Sequence, residues 1–421
     1  MWQKTLIRLN GGKKLSSGMP MNNSFLCQAL RNSFLLLFIG VTMPFLVPIL
    51  VVMEILEPNL RVRIGKFPTE RIGPLAAVAN WYLRHRVMSK PVALELHLMV
   101  TTYPRPANNQ LMRMIKRRLI IVEHPFFLKL YKAMRLCLKN SKIWVDFPVE
   151  FKGYYKESTE TSPQIYFIKE EVARGIKELS RMGIEAGKPF ICFHSRDKAY
   201  LDAALPRDQW SYHDYRDSDI NNYLPAAEYL VSLGMSAVRV GYIVQHAIKT
   251  TNPRIIDYST DYRTDFMDIY LLGNCKFFLG SNGGLCCIAH SFNIPVAAAN
   301  WIALNRTLIG KRDIIIPKKL WSIEQKRFLT YREIVSSGID TWARSERYVK
   351  AGIEVVENTP DEILALAKEM NARLDGSWIS AKEDEQLQQH FRDLFPVSHE
   401  TYGFPCRIGA EFLRQNKELF D

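Results

Sequence analysis

The sequence predicts an α/β protein of two domains built on mainly parallel sheets, and three observations carry that reading. From Pro189 to Pro317 short apolar strands alternate with helix-spaced segments, and repeated strand–helix–strand units build a parallel sheet covered on both faces. An earlier strand, Leu60-Arg61-Val62-Arg63-Ile64, runs into a loop with Gly65, Pro68 and Gly73 and then a helix over 75–86, which opens a first domain in the same way. The 421 residues suffice for two domains of roughly 150–200 residues each.

Composition narrows the partners. Hydrophobic residues make up 47% and charged residues 24%, which excludes global disorder. The 56 Lys and Arg against 43 Asp and Glu leave a formal charge of +13, which favours nucleic acid, an acidic membrane surface or phosphorylated ligands. No RNP motif, zinc finger or helix-turn-helix signature is present, so nucleic acid is set aside. None of the seven cysteines forms a CxxC pair, and Cys286-Cys287 lie in an apolar context; core thiols are expected, with no metal site and no disulfide framework.

Near the amino terminus, Asn32 to Met53 carries no charge and is long enough to span a bilayer as a helix. Lys4, Arg8, Lys13, Lys14 and Arg31 precede it; Arg61, Arg63, Lys66, Arg71, Arg84 and Arg86 come after it, so the charge rule gives no orientation. Pro44 and Pro48 would kink it. A re-entrant helix, a single-span anchor and a core helix all stay open. Arg113, Lys116, Arg117 and Arg118 stand ahead of the Phe/Leu-rich run 126–136, which suits either an anionic lipid surface or an ordinary solvated basic face. A strand is expected at 92–101. A helix over 169–186 carries Val172, Ile176, Leu179 and Met182 at helical spacing. Strands at 190–193, 237–240, 255–256, 276–279, 295–298 and 314–317 alternate with helices at 222–233, 264–272 and 283–292. The segments 361–375, 382–394 and 407–420 read as helices.

Ligands bind at the carboxyl ends of such strands. His194-Ser195-Arg196-Asp197 lies at one end, and a guanidinium matches phosphate oxygens; an Arg–Asp ion pair beside a capping His is the alternative. Ser281-Asn282-Gly283-Gly284 lies at another, where glycines allow close backbone approach and a helix start presents free N–H groups; such residues also cap helices that bind nothing. Asp265 and Asp268 are neighbours on one helix face, and the deeper Asp268 calls for a donor partner. The loop 208–223 is dense in Trp, Tyr, His and Asp, which suits sugar or base recognition or simply an ordered surface. Arg239 ends a strand, where it either contacts a nucleotide or pairs with Asp257.

These motifs have a likeness. The stretch 186–300 resembles the donor half of fucosyltransferase-like enzymes of the GT-B fold, whose His-x-Arg motif reads His194-Ser195-Arg196 here. The resemblance implies that Arg196 contacts the donor β-phosphate and matches Asp268 to a later Asp of that group. It matches Ser281-Asn282 to a Ser-rich loop, with Asn in place of the second Ser. Most of the chain is similar to a family of bacterial glycosyltransferases encoded with surface-polysaccharide genes. That similarity runs through Arg63-Ile64-Gly65, Arg71-Ile72-Gly73, His194-Ser195-Arg196-Asp197, the segment 213–220 and Gly280-Ser281-Asn282-Gly283-Gly284.

The resemblance implies a GT-B-like fold, two Rossmann-like domains facing a cleft. A basic amino terminus with an apolar membrane segment spans 1–56, an acceptor domain 57–186, a nucleotide-sugar domain 187–358 and carboxyl-terminal helices 359–421. Arg196 and Asp268 are expected to be catalytic. His194, Ser195, Asp197, Arg239, Ser281, Asn282, Gly283 and Gly284 are expected to bind the donor. Arg63, Gly65, Glu70, Arg71, Gly73, Tyr215, Arg216 and Asp219 are expected on the acceptor side, and Glu70, Glu95 and His97 are base candidates by domain alone. The expected activity is metal-independent transfer of a hexosyl or deoxyhexosyl group from a nucleotide sugar, a substrate and not a cofactor, to a lipid-linked or surface-polysaccharide acceptor. The expected place is the cytoplasmic face of the inner membrane, on an anionic surface, through residues 32–53. A nucleotide-sugar epimerase, which needs no anchor, and a non-catalytic membrane-bound partner in polysaccharide assembly are the rivals.

Overall fold

The computed structural model describes residues 40–41, 43–45, 47–57, 59–101, 105–147, 155–204, 210–306 and 310–420. In the first domain β1 (Leu60–Lys66), β2 (Leu94–Val100), β3 (Ile120–Val122) and β4 (Trp144–Val145) form a parallel sheet in the order β3-β2-β1-β4. The second domain holds β5 (Phe190–His194), β6 (Ser236–Arg239), β7 (Ile255–Ile256), β8 (Phe278–Gly280), β9 (Val296–Trp301) and β10 (Ile314–Pro317). With β14 (Arg407–Ile408) they make one parallel sheet ordered β14-β10-β9-β8-β5-β6-β7. Its central strands are buried along nearly their whole length, as apolar runs between two helical layers must be.

The sequence did not predict the small antiparallel sheet of β11 (Lys319–Ser322), β12 (Arg327–Phe328) and β13 (Ile353–Val356), ordered β12-β11-β13. These strands are short and only half-buried, so their apolar signal is slight. The run 407–420 is not one helix. Residues 407–408 pair with β10, and Gly409 then leads into a short helix whose first amide, from Ala410, donates to the buried Glu369 carboxylate at 2.6 Å. The helix expected over 169–186 ends at Arg181, because Gly183 turns the chain through a left-handed φ of 77°. Of its apolar stripe, Leu179 and Met182 are buried while Val172 and Ile176 stay exposed. Residues beyond 359 complete the second domain: helix 360–374 packs on helix 224–232 and on β9 and β10.

Two helices tie the domains together. Helix α1 (Ile72–Met88) buries Leu75, Ala76, Val78, Ala79, Tyr82 and Leu83 and lies against α2 (Gly284–Ser291) of the second domain. The contact is so close that a Cβ on Gly73 would meet Gly284 Cα at 3.0 Å, and one on Gly284 would meet Gly73 N at 2.8 Å. Arg84, fully buried, donates to Asn80 and the Thr161 carbonyl within its own domain and to Asn293 Oδ1 and the His290 carbonyl across the junction.

The opposite face of the first sheet carries a second core. Met43 and Leu50 meet Val62, Val100 and Trp144 there, with Tyr131, Ala133 and Met134 from the helix 125–138. The described residues from 40 to 55 are helical, and their other face is open: Phe45 is 73% and Ile55 71% exposed. No helix among the described residues is long and apolar enough to cross a membrane. The segment expected to anchor the chain therefore contributes in part to a core, and its first residues, 32–39, lie outside the described residues.

Candidate functional site

Both parallel sheets aim the carboxyl ends of their strands at one cleft of about 750 Å³. The first domain supplies Lys66 from the end of β1, Glu70, Arg71 and Gly73 from the following loop and helix start, Asp146 beyond β4, and Tyr131 and Arg135. The second supplies His194, Arg196 and Asp197 beyond β5, Gly241 and Tyr242 beyond β6, Asn282, Gly283 and Gly284 beyond β8, and Arg306 beyond β9.

His194 is held neutral. Burial, with Arg239 and Arg196 nearby, pushes its imidazole down to about 4, and its Nδ1 lies 2.8 Å from the Val240 carbonyl. A carbonyl only accepts, so Nδ1 carries the proton. The Arg196 amide donates to Ser281 Oγ at 2.7 Å, which joins the two strand-end motifs. The Arg196 side chain is buried, pairs with Asp217 and donates to the His213 carbonyl. Burial lowers it to about 10, which still leaves it charged at neutral pH. Its carboxylate partner is therefore not the adjacent Asp197, which instead accepts from the Ala199 and Gln245 amides at 2.9 and 3.0 Å.

Around Arg196 stand three more guanidiniums. Arg71, from the first domain, lies 5.9 Å from the Trp210 ring, and Trp210 stacks on His213. Burial first, then Arg216, Arg196, Arg71 and Arg306, drive the His213 imidazole down to about 3. Among the described residues neither ring nitrogen of His213 has a hydrogen-bond partner, nor does Arg216 Nε. The starts of α1 and α2 sit beside this group. Neither has a capping side chain or an acidic residue in its first turn, so first-turn amides are left to a ligand or water.

Asp268 also lines the cleft, yet its oxygens are occupied. Tyr258 donates to Oδ1 at 2.8 Å; Arg263, at 2.8 and 3.1 Å, and Asn108, at 3.3 Å, donate to Oδ2. Burial raises its carboxyl to about 6 against the pull of Arg263 and Tyr258. Asp265 accepts from Arg263 and from the Asn109 amide, so this group links the domains.

Several expected site residues do not line the cleft. Arg239 is buried in an ion pair with Asp257, and Arg63 pairs with Glu57. Ser195 and Ser281 lie buried beneath the surface. Tyr215 packs on Tyr348, Asp219 caps a short 3₁₀ turn through the Asn221 amide, and Gly65 is covered by Phe147. Among the base candidates, Glu95 is bound by Arg61 and Arg86, and His97 is buried against Tyr82, which leaves Glu70 facing the cleft. Sequence reasoning missed Arg306, Lys66, Tyr131, Arg135, Asp146 and Arg263. Arg306 carried the same signal as Arg196, a basic residue just past a strand of the same sheet. Among the described residues no group of three His, Cys, Asp or Glu converges to hold a metal.

No protein-family model and no curated protein matches the chain. Solved structures do. The E. coli ADP-heptose lipopolysaccharide heptosyltransferase II aligns over 61% of this chain and 90% of its own, with 10% identity and a TM-score of 0.41. A family 9 glycosyltransferase from Veillonella parvula aligns over 75% of this chain and 99% of its own, at 10% identity and a TM-score of 0.43. The iron-containing dodecameric glycosyltransferase TibC of enterotoxigenic E. coli aligns over 61% and 63%, at 12% identity and a TM-score of 0.32. All three are described as glycosyltransferases and none as a fucosyltransferase, the group that the His-x-Arg motif resembles. The likeness covers part of the fold; the chemistry of the cleft is this chain's own.

Proposed function

We propose that the chain is a glycosyltransferase that binds a nucleotide sugar in this cleft and transfers the sugar to a glycan or glycolipid acceptor. One observation carries the reading: a buried arginine and an uncapped helix start, both at strand ends of one parallel sheet, converge in a cleft whose other wall is a second such domain. In sugar transfer the leaving nucleoside diphosphate gains negative charge. Donors already aimed at it, Arg196 and the first turn of α2, stabilise that charge without reorganisation. Lys66, Tyr131, Arg135 and Asp146 form the acceptor wall, and Glu70 is the carboxylate in position to take the acceptor proton. The proposed reaction calls for no cofactor and no metal.

Membrane attachment belongs to the same proposal. The open apolar faces of the helix within 40–55 and of Phe126 and Phe127, beside the exposed Lys129, Lys132 and Arg135, suit an anionic bilayer at the cytoplasmic face of the inner membrane. Arg135 lines the cleft on the same helix, which would bring a lipid-linked acceptor to the site. An epimerase needs no lipid-linked acceptor and no anchor, so the open apolar faces argue against it, and a non-catalytic partner would tolerate loss of Arg196 and Asp268.

The test is calorimetric titration of the purified chain with UDP-, GDP-, ADP-, CDP- and dTDP-sugars, with Arg196→Ala beside it. Selective binding of one nucleotide class, lost in the variant, is expected. Absence of binding by every member of the panel would overturn the reading.

A further inference from the structure

We infer that both domains clamp the same diphosphate: Arg71 and the first turn of α1 bind the anion that Arg196, Arg216 and the first turn of α2 bind from the other side. The inference rests on the donor reading above and moves Arg71 and Arg216 from the acceptor side, where the sequence puts them, into the donor site.

The geometry begins at two glycines. Gly73 and Gly284 touch without room for a Cβ on either, so the two helix starts lie side by side although they belong to different domains. Each helix has its positive end there. In α1 the Ile72 and Gly73 amides have no intrahelical acceptor, Pro74 has no N–H, and the Leu75 amide already donates to the Arg71 carbonyl. In α2 the chain enters through Gly283, so no side chain shields the first amides.

The side chains repeat the pattern. Arg71 faces Trp210, Trp210 stacks on His213, and the His213 carbonyl accepts from Arg196. A continuous path of contacts therefore joins the first-domain arginine to the second-domain one. Arg71, Arg196, Arg216 and Arg306 all line the cleft, and Arg216 Nε is buried with no acceptor among the described residues. Like charges gathered beside two positive helix ends raise the energy of the empty site, and a bound polyanion removes that cost. A diphosphate has the span and the number of oxygens to meet both groups at once.

Inorganic pyrophosphate is the probe, because it carries the charge without a base or sugar. Titration calorimetry is run on wild type, Arg196→Ala, Arg71→Ala and the charge-free Arg71→Gln, which guards against a folding defect in the alanine variant. The inference expects the Arg71 variants to bind pyrophosphate roughly tenfold or more weakly, the loss of one charge-assisted contact, with Arg71→Lys recovering part of it. Wild-type affinity in folded Arg71→Gln, with binding lost in Arg196→Ala, would overturn the two-domain clamp and leave the donor site standing. No pyrophosphate binding by wild type would overturn both.

Discussion

Two arginine groups border the cleft, and they differ in what satisfies their donors. Arg263 meets Asp265 and Asp268, which in turn accept from Asn108 and Asn109 of the first domain; every charge has a partner inside the protein. Arg71, Arg196, Arg216 and Arg306 crowd one imidazole; Arg196 has Asp217, but among the described residues the His213 ring nitrogens and Arg216 Nε meet no partner. Buried polar groups are almost always paired, so the two groups teach different lessons. The satisfied one holds the domains in place. The other is only partly satisfied, and the side chains that carry its open polar atoms line the cleft.

The comparison predicts effects of different kind as well as size. Arg196→Ala should lower sugar transfer by about 10²–10³-fold, the loss expected when one aimed donor is removed, with a modest fall in melting temperature from the lost Asp217 pair. A large fall in melting temperature instead would make Arg196 a structural residue. Gly284→Ala should cost about 1–3 kcal/mol in denaturant unfolding, because its methyl group would meet the Gly73 backbone and Ile72 Cγ2 at 3.0 Å or less, and should weaken pyrophosphate binding too. An unchanged unfolding midpoint would show that the helix starts do not touch. Asp268→Ala should lower stability by about 2 kcal/mol and leave pyrophosphate affinity intact. Transfer abolished in a variant of normal stability would restore the catalytic role that the resemblance implies for Asp268.

The smallest effect is a pH dependence. The His213 imidazole sits well below its ordinary 6.5, at about 3. A lowered value means that the unfolded chain binds the proton more tightly. The stability from the neutral ring is therefore complete above the ordinary value and is lost as pH falls from 6.5 toward 3. Pyrophosphate offsets the arginines and should shrink that loss. Melting curves from pH 7 to pH 4, with and without pyrophosphate, check it, with His213→Asn as the reference in which the slope flattens.

The sequence made the second sheet legible because its strands are buried runs punctuated by Gly and Pro, and the strand-end rule then reached Arg196 and Gly283. The same rule picked out Arg239 with two readings open, a nucleotide contact or a pair with Asp257. A strand's last side chain can point either way, and here it pairs with Asp257 beneath the surface. Arg63 and Tyr215 do not line the cleft for a similar reason: a motif records that residues stand close in the chain, not which face they turn to the cleft. The convergence of Arg71 with Arg306 has no local signal, since it exists only once two domains meet. The small antiparallel sheet escaped because its half-buried strands carry little periodicity.

Arg84 has a thermodynamic consequence. Its guanidinium is fully buried, and its acceptors are divided between Asn80 and Thr161 on one side of the junction and His290 and Asn293 on the other. If either domain melted alone, a charge would remain in an apolar setting with half its acceptors gone, an intermediate of high energy. The two domains should therefore unfold as one cooperative unit, with a single heat-absorption peak whose calorimetric and van't Hoff enthalpies agree.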